Sequence, residues 1–182
     1  MPEGLPNYNA FFGSMHDVGY QPKAMLLTIE GYATSYVKAL QAAATAPASW
    51  IYLNYLPFEL ADQSPVVKQA VDLLTTTTTR DKLSGYSYFS LDAWLLWAKS
   101  ATECGSDLTV SCVLKKAAAF PAWDAGGFAA PVNTDPAKSS FSQCGLMIKA
   151  TKDGFSYDRT LTQPNVGFFN CNPKNVVAGL GA

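Results

Sequence analysis

Four cysteines occupy the second half of the 182-residue chain: Cys104 and Cys112 close together, Cys144 and Cys171 at opposite ends of a strand-rich stretch. None sits in a CxxC, and the single histidine, His16, is far from all four, whereas zinc sites draw on tight Cys/His clusters. The spacing therefore predicts two local disulfides, Cys104–Cys112 and Cys144–Cys171, over a metal site. Four buried free thiols are the alternative. Paired cysteines imply an oxidising, extracytoplasmic compartment. In the chain-entropy account the two loops contribute about 2.5 and about 3.5 kcal/mol if unstrained.

A second kind of chemistry is suggested by Glu30-Gly31, at the carboxyl end of a predicted strand and just before a helix. In open α/β sheets that edge is where ligands bind. A carboxylate there can neutralise a ligand ammonium, with Gly31 letting the backbone turn tightly beside it. Alternatively, Glu30 complements the dipole of the following helix. Position alone does not separate these readings. Aromatic residues gather in two places: Trp50, Tyr52, Tyr55 and Phe58, then Tyr86, Tyr88 and Phe89. Alternating aromatics within a strand normally form core, but Tyr55 and Phe58 lie past the strand at the same edge as Glu30, and Tyr86 and Tyr88 precede a long helix. All four are candidates for a ligand wall.

Catalysis finds no support. The chain has no GxSxG, HExxH, P-loop or GxGxxG. His16 falls on the polar side of the first helix, and Asp124, Asp153 and Asp158 sit in turns, where bonds to nearby amides account for them. The reading is a non-enzyme with neither cofactor nor metal. Charged residues make up 15% and hydrophobic residues 48%, with a net charge of −1, which excludes a disordered chain and gives no electrostatic case for nucleic acid. No apolar run approaches the ~20 residues of a membrane helix. Met1–Pro6 is polar and unlike a signal peptide. Because the cysteines indicate export, the expectation is that the beginning of the protein is missing.

The elements that must position these residues alternate at first. Asn9–Val18 reads as a helix stopped by Gly19, Lys23–Ile29 as a buried strand, Thr34–Ala44 as a helix capped by Thr34 or Ser35, and Trp50–Leu56 as a strand ended by Pro57. That order predicts βαβ units around a parallel sheet. Ser64-Pro65 opens a helix to Leu74, and the threonine run Thr75–Thr79 ends it. Ser90–Ala101 places Leu91, Trp94, Leu95, Ala98 and Ala101 on one face, and Val110–Ala119 follows after Asp107 or Thr109. The Cys104–Cys112 bridge would clamp the turn between those helices. Leu146–Thr151 and Phe155–Arg159 flank Asp153-Gly154, a hairpin signal, and Val166–Phe169 is a candidate third strand.

Taken in order, the helix at Asn7–Gly19, VGYQPKAMLLTIEG (18–31), WIYLNYLPFE (50–59), SPVVKQAVDLL (64–74) and GYSYFSLDAWLLWAKSATECG (85–105) resemble the C-terminal portion of a type I periplasmic binding protein. The branched-chain amino-acid (Leu/Ile/Val) receptors of ABC importers are the nearest match. The tail, from LTVSCVLKKAAAFPAWDAGGFAAPVN to GFFNCNP, is similar to extracytoplasmic receptors of actinobacterial type. The resemblance implies a partial α/β fold with lobes that close on a ligand at a hinge, and a role in delivering an amino acid or similar small amphipathic solute to an ABC permease. It implies three segments: 1–58 as βαβ of the C-terminal lobe, 59–125 as helices packing on an absent N-terminal lobe, and 126–182 as a disulfide-stapled β segment. The membrane would be met only through a lipid anchor in the missing N-terminal part. Glu30 matches the acidic residue that pairs with the ligand ammonium, and Tyr8, Tyr86 and Tyr88 match ligand-contacting positions less closely. With the loop that grips the ligand carboxylate absent, this segment alone is expected to bind weakly or not at all. A sensing domain of the same fold, or a disulfide-stapled secreted structural protein, are the alternative roles.

Overall fold

The computed structural model describes residues 7–43, 45–138 and 142–175. The reading of Met1–Pro6 lies outside them. Helix α1 (Tyr8–Asp17) leads to β1 (Ala24–Leu27), then α2 (Thr34–Ala42) and β2 (Ala48–Leu53). Helices α3 (Pro65–Leu74), α4 (Gly85–Cys104) and α5 (Val110–Ala117) follow, and the chain closes with β3 (Cys144–Thr151), β4 (Gly154–Tyr157), the short α6 (Arg159–Thr162) and β5 (Asn170–Cys171).

The strands form one mixed sheet in the order β1-β2-β3-β4, with β5 beside the start of β3. Among the described residues only β1 and β2 pair in parallel; β3 runs antiparallel to β2, β4 and β5. The expectation of a parallel sheet therefore holds for its first pair and is corrected for the rest. Register explains which face is core. Ser49↔Ala150, Ile51↔Ile148 and Leu53↔Leu146 lie on one face, all buried, whereas Trp50↔Lys149 and Tyr52↔Met147 lie on the other, half-buried or exposed. This in-out alternation is the signature of a sheet covered on one side, not of a parallel sheet enclosed on both. Leu26, opposite Trp50 on that open face, is 70% exposed, and β1 is an edge strand among the described residues.

The buried face shares a single apolar cluster with the helices. Tyr8 and Phe12 of α1, Tyr36 and Leu40 of α2, Val67 of α3 and Tyr88 and Leu91 of α4 all belong to it. The polar group of Tyr36 is satisfied inside, its hydroxyl donating to Ser49 at 2.7 Å. No helix among the described residues is long and apolar enough to cross a membrane.

Several ends differ from the sequence reading. Neither Thr34 nor Ser35 caps α2: the cap position is Ala33, and the Thr34 hydroxyl instead donates to the Asp81 carbonyl. Helix α4 starts five residues before Ser90, so Tyr86 and Tyr88 lie in its first turn and not ahead of it. Lys152 and Asp153 form the β3–β4 turn, with Gly154 already in β4 and at φ 131°. The Val166–Phe169 segment makes an isolated bridge, and the third strand is Asn170–Cys171. The four cysteines form the two disulfides expected, and none is free.

Candidate functional site

The carboxyl end of β1 runs into a single 3-10 turn, Ile29–Gly31, which carries Glu30 to the sheet edge. Two glycines make that placement work, for reasons of space. Gly31 does not adopt a positive φ, which corrects the expectation of a special turn; a Cβ there would come within 2.9 Å of Leu27 and 3.3 Å of Ile51. Gly85, the first residue of α4, approaches so closely that a Cβ would lie 2.3 Å from the Ile29 carbonyl oxygen. Its amide donates to the Tyr32 carbonyl at 2.8 Å. A reciprocal Ser84–Ser87 capping box fixes the start of α4 at that point. Tyr86, the next residue of α4, is thereby held near enough to Tyr8 to act on its phenol.

Glu30 is half-buried and accepts a hydrogen bond from the Thr28 hydroxyl. It makes no side-chain cap to α2, so the alternative of complementing that helix rests on its dipole alone. With Asn7, Tyr8, Phe11, Met25, Leu27 and Thr28 it lines a groove of about 540 Å³ between α1 and the edge of β1. The Tyr8 ring meets Tyr36 edge-on at 4.6 Å. Burial above all, then the neighbouring Tyr36, Glu30 and Tyr86, raises the Tyr8 phenol to about 12. Tyr8, Glu30 and Tyr86, far apart in sequence, thus occupy one electrostatic neighbourhood.

The aromatic strip continues from Tyr86, 47% exposed, to Phe89, 44% exposed, whose ring meets Tyr55 edge-on at 5.9 Å. Tyr55 is held from behind: its hydroxyl donates to Asp92 at 3.0 Å, and Trp123 Nε1 donates to the other oxygen of the same carboxylate at 2.6 Å. Burial, and then the Asp92 charge, pushes the Tyr55 phenol far above its ordinary value.

Tyr88 and Phe58 do not belong to the wall. Tyr88 is wholly buried, its ring stacked on Tyr55 at 5.2 Å, on Tyr32 at 5.5 Å and on Phe58 at 4.4 Å. The Phe58 amide donates to both the Tyr32 and Tyr88 hydroxyls, at 2.9 and 3.0 Å. These residues form a column that supports Tyr55 from inside, so the expectation that Tyr88 touches ligand is corrected on steric grounds. Behind the column, the Tyr32 hydroxyl donates to Glu59 at 2.6 Å, and Arg80 donates to the Phe58 carbonyl at 2.9 Å.

Sequence reasoning passed over Asp92, Tyr32 and Glu59. The spacing of Phe89 and Asp92, one helical turn apart on α4, was a signal for Asp92 only once the helix start was known. His16 is exposed at the end of α1, as its polar setting predicts. A second groove, about 660 Å³, lies on the open sheet face over Leu26, Trp50, Tyr52 and Met147; it shares Met25 with the first, but Glu30 does not line it.

No family model matches the chain, and no curated protein matches it. Among solved structures it is similar to a fatty acid ABC transporter substrate-binding protein from Thermomonospora curvata, with a TM-score of 0.61 and 16% sequence identity. The similarity covers 92% of this chain and 41% of that one, so the chain spans less than half the length of its structural neighbour. The mixed α/β architecture is thus similar to part of a periplasmic-binding-protein fold. The match does not single out the branched-chain amino-acid receptors, and the ligand named for the neighbour is a different one.

Proposed function

We propose that this chain forms part of an extracytoplasmic solute receptor that delivers an amino acid or a similar small amphipathic molecule to an ABC permease. The observation that carries the reading is the half-buried carboxylate of Glu30, in a groove with Tyr8 at the carboxyl end of the parallel β1–β2 pair, where ligands meet open α/β sheets. The likeness of fold to an ABC transporter substrate-binding protein supports it. Two disulfides suit an oxidising compartment.

In this reading residues 1–58 and the strands of 126–182 belong to one lobe, α3 and α4 pack on its core through Val67, Tyr88 and Leu91, the exposed outer side of α4 and α5 meets a second lobe, and a lipid anchor ties the receptor to the membrane. Ligand selects the closed form, which the permease engages. Glu30 holds the solute ammonium, and Tyr55, Tyr86 and the groove beside Tyr8 form the wall. The fatty acid named for the structural neighbour offers a second ligand class. Phe11, Met25 and Leu27 suit an acyl chain, but Glu30 opposes a carboxylate.

The test is a solute screen on residues 1–182 followed by NMR, together with the genes beside this one. Weak, saturable shifts centred on Glu30, and adjoining permease and ATPase genes, are expected. An attached kinase or regulator would move the role to sensing, and shifts that never approach the Glu30 edge for any solute would overturn the assignment.

A further inference from the structure

We propose that Asp92 is a positioning residue, a single carboxylate that latches onto α4 both segments joining the sheet to the helices, and the Tyr55 ring with them. The inference goes beyond the receptor reading and stands without it. Its ground is the meeting of three stretches of chain. After β2 the chain leaves the sheet, builds α3, α4 and α5, and returns to β3. The outgoing residues 54–56 and the returning residues 128–130 lie antiparallel. The Leu56 amide donates to the Phe128 carbonyl at 2.9 Å, and the Ala130 amide to the Asn54 carbonyl at 2.7 Å, around the isolated Tyr55↔Ala129 bridge. So short a pairing is marginal by itself. Phe128, Ala129 and Ala130 are buried in the core, but apolar burial is non-directional and does not set the angle at which the two segments meet α4.

Asp92 sets it. From α4 its half-buried carboxylate takes one donor from each segment, the Tyr55 hydroxyl at 3.0 Å on Oδ2 and Trp123 Nε1 at 2.6 Å on Oδ1. Trp123 is fastened within the returning segment, exchanging backbone bonds with Val132 at 2.7 and 2.9 Å and packing its ring 5.3 Å from Phe120. Between Trp123 and Val132 the chain turns through Ala125 at φ 52°, a left-handed conformation that a non-glycine residue keeps only where its surroundings hold it. Tyr55 is fastened to α4 a second time, its ring stacked on Tyr88 and edge-on to Phe89. Hydrogen bonds to an ionised acceptor are roughly twice as strong as neutral ones, and bonds that share one acceptor are energetically coupled. Asp92 therefore makes the seating of the returning segment and the placing of the Tyr55 ring one event.

Amide hydrogen exchange of residues 1–182, resolved by NMR, tests the latch with no ligand needed. Asp92→Ala is expected to speed exchange at Leu56 and Ala130 about tenfold or more, as for loss of a hydrogen bond to a charged group, while the paired amides of β2 and β3 keep their rates. Asp92→Asn, with one oxygen in place of two, is expected to fall between and to move the Trp123 indole N–H signal. Tyr55→Phe and Trp123→Phe each remove one donor. Each should speed exchange at both Leu56 and Ala130, and neither should add to the effect of Asp92→Ala. Unchanged rates at Leu56 and Ala130 in Asp92→Ala would overturn the inference. Equal acceleration throughout β2 and β3 would also overturn it, by making Asp92 a general stabilising residue. If Asp92→Ala does not fold, the two ring variants decide: exchange quickened only in the segment that carries the substitution, or in neither, means that the two bonds are uncoupled and the latch does not exist.

Discussion

Glu59 illustrates how far one side chain can shape the behaviour of this core. It is half-buried behind the aromatic column, where it accepts from Tyr32 and feels Arg80. Burial dominates and raises its carboxyl above the ordinary 4.5, against the lowering effects of the Tyr32 bond and the Arg80 charge. A carboxylate whose folded value is raised binds more protons in the native state than in the unfolded one. Its contribution is therefore full below 4.5 and is lost as pH rises through the raised folded value. Asp81, Asp135 and Asp158 act oppositely, held low chiefly by the Thr79 side chain, the Ala137 amide and the Leu161 amide respectively. What they contribute is present above 3.8 and fades as pH falls below it, so the two windows do not coincide. Glu59→Gln keeps an acceptor for Tyr32 without the charge. It is expected to flatten the decline in stability as pH rises above 4.5 and to gain on the order of 1 kcal/mol or less once that decline is complete. Urea denaturation of both proteins across that range checks it, and an unchanged slope would show that Glu59 is not the titrating group.

The elements were unevenly legible. Strands β1 and β2 and helices α2, α3 and α5 follow from local pattern, because Pro22, Pro57, Ser64-Pro65 and Thr109 punctuate the chain where the structure does. The start of α4 was hidden because Gly85 and two tyrosines read as loop. The signal that mattered was the Ser84/Ser87 capping box, and the glycine is there to pass Ile29. The antiparallel return of β3 onto β2 was not legible, since strand partners far apart in sequence leave no local mark. At the site, Glu30 and Tyr86 could each be named from sequence, but the column Tyr32–Tyr88–Tyr55 could not, for it depends on how the 3-10 turn at Ile29–Gly31 and α4 converge. The disulfides belong to this scale. Cys104–Cys112 joins α4 to α5 with Cα atoms 6.0 Å apart, and Cys144–Cys171 joins paired residues of β3 and β5. Replacing each pair by serine should cost about 2.5 and about 3.5 kcal/mol respectively, in order of loop length. Denaturant midpoints of the two double variants measure this, and equal or reversed losses would mean that native contacts outweigh loop entropy.

At the scale of the whole molecule, two apolar surfaces stand uncovered among the described residues. One is the sheet face over Leu26, Trp50, Tyr52 and Met147, bordered by the open edge of β1. The other is the outer side of α4 and α5, where Trp94, Trp97 and Leu114 are 65%, 49% and 64% exposed. An unpaired strand edge beside an apolar face is a template for another chain. Residues 1–182 in isolation should therefore enhance the fluorescence of a hydrophobic dye and associate as concentration rises. Leu26 is the most sensitive point, because it joins the edge to the face and, at 70% exposed, has little packing to lose. Leu26→Lys is expected to lower dye binding and hold the protein monomeric in light scattering, with stability changed by less than about 0.5 kcal/mol, as for an exposed substitution. Association that persists in Leu26→Lys would shift attention to the tryptophan surface of α4, and a wild-type chain that stays monomeric and dye-silent would show that neither face is adhesive.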